Sequence, residues 1–102
     1  MSANAKVRQT MDADRRLVIL RTLVEYRGAL NSSAMESGVR AWGHKYIDRD
    51  MILGDCKWLE VRGLVTVDTL SSTVLEITVT PKGERAADGS EWVEGIARPS
   101  RD

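Results

Sequence analysis

The chain has 102 residues, and its 15 Lys and Arg balance its 15 Asp and Glu, so the formal net charge is zero. This length accommodates one ordinary domain and excludes two independent catalytic domains. Neutrality excludes the global positive charge that marks many nucleic-acid-binding proteins, so any such binding requires a local excess of positive charge. With 42% hydrophobic and 29% charged residues, the composition is typical of a folded domain.

Hydropathy and cysteine content predict a soluble, cytoplasmic protein. No apolar run approaches the roughly 18 residues that span a bilayer, and residues 1–6 lack the apolar core of a signal peptide. Cys56 is the only cysteine, so an intrachain disulfide is impossible and we expect its thiol to be packed in the interior. We expect no membrane partner.

The N-terminal part of the chain divides into a polar arm and a helix. Residues 1–11 carry polar and basic side chains without apolar periodicity, so we expect a flexible arm. Within residues 12–27 apolar residues recur at spacings of three and four, which predicts an amphipathic helix that ends at Gly28. The apolar positions are Leu17, Leu20, Leu23 and Val24, with Val18 and Ile19 beside them.

Two further helices are predicted in the middle of the chain. Glu36 follows Ser33 at the spacing of a capping box, so a short helix should run from about residue 33 to residue 42. A third helix is predicted over residues 47–62 and should end at Gly63. We expect the tryptophans of these two helices to belong to the core: Trp42 and Trp58.

Beyond Gly63 the sequence changes from a helical to an alternating pattern. Val65 and Val67 alternate with polar residues, and apolar residues alternate again over residues 75–79, so two strands are predicted. The short link between them favours an antiparallel hairpin. A brief helical turn follows over residues 82–87. The predicted organisation is a flexible arm (1–11), one α+β domain (12–87) and a C-terminal tail (88–102).

This order of elements resembles a winged helix-turn-helix, with three helices, a two-stranded antiparallel wing, and a short C-terminal helix and tail. Residues 58–65, WLEVRGLV, resemble the junction between recognition helix and wing in ArsR-like and MarR-like bacterial regulators. Residues 77–83, ITVTPKG, resemble the end of their second wing strand. The compact length and the ending VEGIARP over residues 93–99 resemble small winged-helix proteins of Mu-like transposable phages and prophages.

The resemblance implies a protein that binds double-stranded DNA and regulates transcription of phage or prophage genes. The helix over residues 47–62 would enter the major groove, where the Arg49 guanidinium could bond guanine O6 and N7 together. In the arm, Lys6 and Arg8 add positive charge that could reach DNA. The predicted DNA-binding residues are Arg40, Lys45, Tyr46, Arg49, Lys57, Lys6 and Arg8.

The charge of the same region leaves a second function open. Residues 31–63 contain five basic and five acidic side chains, and the wing turn over residues 68–73 contains neither Lys nor Arg. Acidic side chains would repel DNA but could contact a host or phage protein. The alternative is therefore a winged-helix protein–protein interaction module with weak or no DNA binding, because one fold can support either function.

No pattern of catalytic residues is present in the sequence. His44 is the only histidine and Cys56 the only cysteine, which is two ligands short of a structural zinc site. The glycines lack the spacing of a phosphate-binding loop. We expect a protein that is not an enzyme and that needs neither a metal nor another cofactor.

Apolar residues beside the predicted core stripe predict a homodimer. Val18 and Ile19 would leave the first helix apolar over more than one face, and the tail carries Trp92, Val93 and Ile96. A regulator that reads two half-sites is commonly a two-fold dimer, so these five residues are the predicted dimerisation residues. The alternative is a tail that folds back on its own first helix.

Overall fold

Residues 3–99 are described by a computed structural model, and this part of the chain forms four helices and a three-stranded antiparallel sheet. The fold class is α+β, as predicted. The sheet has the order β1-β3-β2, so the last strand lies in the middle. The elements are α1 (Ala3–Glu25), β1 (Ala29–Asn31), α2 (Ser32–Ala41), α3 (Arg49–Val61), β2 (Val65–Thr69), β3 (Leu75–Val79) and α4 (Pro81–Asp88).

Helix α1 begins at Ala3, so the prediction of a flexible arm over residues 1–11 is wrong from Ala3 onward. Residues 6–11 are exposed, which is why they show no apolar periodicity. Periodicity reports burial, and a helix that is already formed can extend through exposed residues that contain neither Gly nor Pro. No boundary therefore separates an arm from the domain at residue 11.

The end of α1 leads directly into a strand that the sequence did not predict. Gly28 adopts a φ of 102°, which favours glycine, and its amide donates to the Leu23 carbonyl at 2.7 Å. Helix α1 ends at Glu25, two residues before the predicted end at residue 27, and Gly28 closes the turn that follows it. Strand β1 follows at once and pairs with β3, with Leu30 opposite Ile77. Three residues are too few to show a period of two.

Side-chain caps define the starts of α2 and α3. The Asn31 Oδ1 atom accepts a hydrogen bond from the Ala34 amide at 2.8 Å, and Asp48 Oδ1 accepts one from the Met51 amide at 2.8 Å. Helix α3 therefore begins at residue 49, two residues after the predicted start. The hairpin of β2 and β3 lies where it was predicted, with Val67 opposite Ile77, and β2 continues to Thr69, into the predicted wing turn.

The core lies between α1, α2, α3 and one face of the sheet. Trp42 is 47% exposed, so its predicted place in the core is wrong: as the C-cap of α2 it lies beyond the last turn that packs inward. Trp58 is half-buried. The side chains that are completely buried include Ile19, Leu20, Leu23, Met35, Ile52, Leu59, Leu64 and Ile77.

The C-terminal segment packs on its own chain as far as residue 99. The Ala97 amide donates to the Ala13 carbonyl at 3.1 Å, and Arg16 Nη1 donates to the Gly95 carbonyl at 3.2 Å. Ile96 is buried in the same core as α1. The predicted tail is therefore part of the domain over residues 88–99, and residues 100–102 lie outside the described part.

Within residues 3–99 the structure contains no helix of the length and apolarity that crossing a membrane requires.

Two glycine substitutions test the packing of the helices. A Cβ at Gly83 in α4 would overlap the Leu64 carbonyl oxygen and lie 2.7 Å from Val79 Cγ2, whereas one at Gly54 in α3 would meet open space. We expect Gly83→Ala to destabilise the fold by about 1–3 kcal/mol and Gly54→Ala to stabilise it by about 1 kcal/mol. Urea unfolding measures both, and equal midpoints would contradict the close approach of α4 to Leu64.

The pH dependence of stability tests whether the Cys56 thiol is buried. Burial, with the nearby charges of Asp55 and Glu60, raises the pKa of Cys56 from 9.0 to about 12. The unfolded chain would ionise first as the pH rises, so this group's contribution to stability is present below about pH 9 and is lost towards pH 12. The stability difference between the parent and Cys56→Ala should therefore shrink between about pH 8 and pH 10.5. A constant difference would contradict the buried thiol.

Candidate nucleic-acid interface

A buried ion pair fixes α3 against α1. The Arg15 guanidinium donates through Nε and Nη2 to both carboxylate oxygens of Asp55, and the Nη2–Oδ1 distance is 3.1 Å. Arg15 Nη2 also lies 2.9 Å from Asp12 Oδ1. The hydrogen bond to Asp55 raises the pKa of Arg15, so the guanidinium is permanently charged. This two-pronged contact restricts both the distance and the rotation of α3 relative to α1.

A second contact holds the connection between α2 and α3. His44 Nε2 lies 2.7 Å from Asp14 Oδ2, and the His44 side chain is only 8% exposed. The sequence alone indicates no partner for His44, since Asp14 is thirty residues away in the chain. This contact joins the start of the connection to α1, so both α3 and the residues that precede it are positioned from the same helix.

Glu36 on α2 binds two of the predicted DNA-binding arginines. Its Oε1 atom lies 2.9 Å from Arg40 Nη2, and its Oε2 atom lies 3.2 Å from Arg49 Nε. Arg40 also donates to the Ile47 carbonyl at 2.8 Å, and Arg49 Nη2 donates to Ser33 Oγ at 3.0 Å. Both guanidiniums therefore connect α2 to the start of α3, and each would have to exchange partners to reach DNA.

Three other predicted contact residues are exposed. Lys45 and Tyr46 precede α3, and Tyr46 is 95% exposed. Lys57 lies two turns along α3 from Arg49 and is exposed as well. Neither lysine forms an ion pair with any residue between 3 and 99. The connection before α3 and the outer surface of α3 therefore offer two lysines and a tyrosine whose side chains have no partner among the described residues.

Lys6 and Arg8 lie at the opposite end of α3. Arg15 in the middle of α1 contacts Asp55, whereas Gln9 lines a surface pocket together with Arg62, just beyond the end of α3. The N-terminal part of α1 therefore lies beside the C-terminal part of α3. With thirteen residues, α3 is about 20 Å long. The structure does not bring Lys6 and Arg8 together with Lys45 and Arg49.

Comparison with known proteins identifies the chain's relatives. It is 36% identical over 93 residues to the uncharacterized protein gp26 of Escherichia phage Mu, and the match covers 91% of this chain and 95% of gp26. The chain belongs to the gp26 family. A second relative, an uncharacterized protein of Haemophilus influenzae, is 31% identical over 83 residues, which is 81% of this chain and 80% of that protein. No protein-family profile matches, and no solved structure gives a significant match.

In this gp26-family chain most of the predicted dimerisation residues are buried within one copy. Val18, Ile19 and Ile96 are buried in the core, and Val93 packs partly against it. Val18, Ile19 and Ile96 have almost no free surface for a second copy, so their assignment to a dimer interface is wrong. Trp92 is exposed, and its Nε1 atom donates to the Ile96 carbonyl at 3.3 Å. The alternative prediction, a tail folded on its own α1, agrees with these contacts.

The acidic partner of Arg40 and Arg49 was not predicted from the sequence. The pair of Glu36 and Arg40 can be predicted from the sequence, because residues i and i+4 are neighbours on the surface of a helix. The pair of Glu36 and Arg49 joins two helices, and the contact from Arg49 Nη1 to the Thr73 carbonyl at 3.4 Å reaches the loop of the hairpin. No spacing in a single sequence indicates either contact.

Removal of the Asp55 charge tests the anchor of α3. Asp55→Asn keeps the shape of the side chain but leaves the buried Arg15 guanidinium with only the partly exposed Asp12 carboxylate as an ionic partner, so we expect a loss of about 3–5 kcal/mol. Asp50→Asn, which removes an exposed carboxylate from the first turn of the same helix, should cost less than about 1 kcal/mol. Urea unfolding at neutral pH measures both changes. Similar losses in the two variants would contradict the role of the buried pair.

Proposed function

We propose that this chain is a DNA-binding transcriptional regulator of phage or prophage genes, built as a winged helix-turn-helix. In this proposal α3 enters the major groove and the protein acts by occupying an operator, with no chemical step and no cofactor. One observation carries it: α2 and α3 pack as a unit beside an antiparallel hairpin, while the outer surface of α3 stays exposed.

The order of elements supports the winged-helix assignment. Helix α3 runs directly into β2, and β2 and β3 form the hairpin that would be the wing. The added strand β1 pairs with β3 and connects α1 to α2, so the hairpin is attached to the helices at its inner edge. The relative in phage Mu is consistent with a phage gene.

The arrangement of charges suggests how DNA would be contacted. Lys45 and Lys57 are exposed point charges suited to phosphates, at the start and in the middle of α3. Arg49 is 40% exposed at its side chain, so its guanidinium could exchange Glu36 and Ser33 for a guanine edge. Arg40 is placed similarly and suits a neighbouring phosphate. Tyr46 adds an exposed hydroxyl beside them.

The pairing of Glu36 favours a second candidate function. Because Glu36 binds both Arg40 and Arg49, two of the five basic side chains in residues 31–63 are engaged within the chain, and one carboxylate lowers their combined charge from two to one. Asp50 is exposed on α3, and the loop of the hairpin has no basic residue. A protein partner would tolerate these acids better than DNA would. The second candidate is therefore a protein–protein interaction module that uses the same surface.

Selection of binding sites from random DNA at moderate salt separates the two candidates, because a DNA regulator should enrich one motif. On that motif Arg49→Ala should weaken specific binding by about 1–3 kcal/mol, roughly fivefold to 150-fold. Lys45→Ala should weaken binding to all sequences alike and lower the salt slope by about one.

The matched control is Lys82→Ala, which removes the same charge from α4, a helix that packs mainly on α1. Its DNA affinity should equal that of the parent protein, and thermal melting should show that each variant is folded. Absence of any enriched motif would overturn the DNA-binding proposal. Enrichment with unchanged affinity in Arg49→Ala would overturn the role assigned to α3.

A further inference from the structure

An apolar groove with acidic walls lies between α1, the end of α2 and α4. Its volume is about 330 Å³. Val24 and Trp42, which are 46% and 47% exposed, contribute its apolar surface. The charged residues that line it are Arg21, Glu25, Glu84 and Asp88.

The charges of this groove sum to an excess of two negative charges. Glu25 and Glu84 are exposed and form no ion pair with any described residue. The guanidinium of Arg21 lies over the Trp42 ring, 5.2 Å from its centroid. Hydrogen bonds from Ser90 lower the pKa of Asp88, which keeps this carboxylate charged. The groove therefore suits a cationic partner that also carries apolar side chains.

The first turns of α1 have the complementary character. Val7 and Met11 are 61% and 51% exposed and lie four residues apart, so they form one apolar ridge on the helix. Lys6 and Arg8 are exposed; Lys6 precedes Val7 and Arg8 follows it, so the two cations flank the ridge on its two sides. Neither cation forms an ion pair with any residue in the range 3–99. This end carries two positive charges against the two excess negative charges of the groove.

The two surfaces cannot meet within one copy. The ridge lies near the start of α1 and one wall of the groove lies near its end, and α1 is a continuous helix from Ala3 to Glu25. From Arg8 to Val24 the helix rises about 24 Å. Any contact between the ridge and the groove must therefore join two copies of the chain.

We propose that this chain associates head to tail, with the Lys6–Met11 end of α1 in one copy seated in the Trp42 groove of the next. Val7 and Met11 pack on Val24 and Trp42, and the cations beside them pair with the acids of the walls. The contact joins two different surfaces, so a copy that has made one contact still has its other surface free, and association continues into a chain or closes into a ring. The site differs from the two-fold interface predicted from the sequence.

Exposed ion pairs and a small apolar contact give weak association that salt screens. Sedimentation of the parent protein without nucleic acid should show a weight-average mass that rises with concentration beyond two copies at low salt. The rise should be lost at about 1 M salt. A monomer at every concentration, or a mass that stops at two copies, would overturn the proposal.

Charge reversal of each surface tests their pairing. Lys6→Glu with Arg8→Glu places acids on the ridge, and Glu25→Lys with Glu84→Lys places bases on the groove. Each double variant alone should remain monomeric, because its two surfaces then have the same sign. An equimolar mixture should associate again, because each surface now meets its opposite on the other variant. All four positions are exposed, and circular dichroism should confirm an unchanged fold.

Matched controls reverse equal charge elsewhere. Lys45→Glu, just before α3, with Lys57→Glu on α3, and Asp68→Lys with Glu76→Lys on the hairpin, should associate like the parent protein. The neutral variants Lys6→Gln with Arg8→Gln should weaken association without abolishing it.

Association that survives reversal of the groove acids would overturn the proposal, because it would indicate that α1 pairs with α1. Failure of the equimolar mixture to associate would overturn it as well. So would a loss of association in the control variants equal to that in the test variants. Because no DNA is present, these results are independent of the proposed DNA-binding function.

Discussion

Arg15 and Asp55 form an ion pair in the interior, between the middle of α1 and the middle of α3. Charges buried in this way are tolerated only when their hydrogen bonds are satisfied, and here one guanidinium meets both oxygens of one carboxylate. The geometry specifies a single orientation of α3 on α1. The contact of His44 with Asp14 extends that constraint to the start of the connection before α3. The hairpin follows α3 directly, so its position depends on the same pair.

Sequence periodicity predicted the elements that have one buried and one exposed face. Helix α3 and strands β2 and β3 lie within two residues of their predicted bounds because their apolar residues repeat at the period of the element. The first turns of α1 were missed because they are exposed and so carry no repeat. Strand β1 was missed because its stability comes from pairing with β3, which is 44 or more residues away in the chain. Long-range pairing of this kind leaves no local signal.

The sequence predicted which residues form the candidate site but not which of them are paired within the chain. Residue type and position place Arg40, Lys45 and Arg49 around the start of α3, and the structure agrees. Which of them is free depends on Glu36, whose two oxygens face different helices. A formally neutral sequence cannot reveal this, because equal counts of acids and bases are compatible with complete pairing or with none. The difference between Arg49 and Lys57 therefore arises only when α2 and α3 are packed together.

Neutrality of the whole chain also conceals a separation of charge along α1. Acids and bases pair where helices meet, as at Asp55 and Glu36, and those pairs leave no field for a partner. Along α1 the charges without an ion pair include the cations Lys6 and Arg8 near its start and the acid Glu25 at its end. A rigid helix holds these ends at a fixed distance, so their opposite signs cannot cancel within one copy. Neither end includes the outer face of α3, so the proposed contact between copies leaves Lys45 and Lys57 free for a different partner.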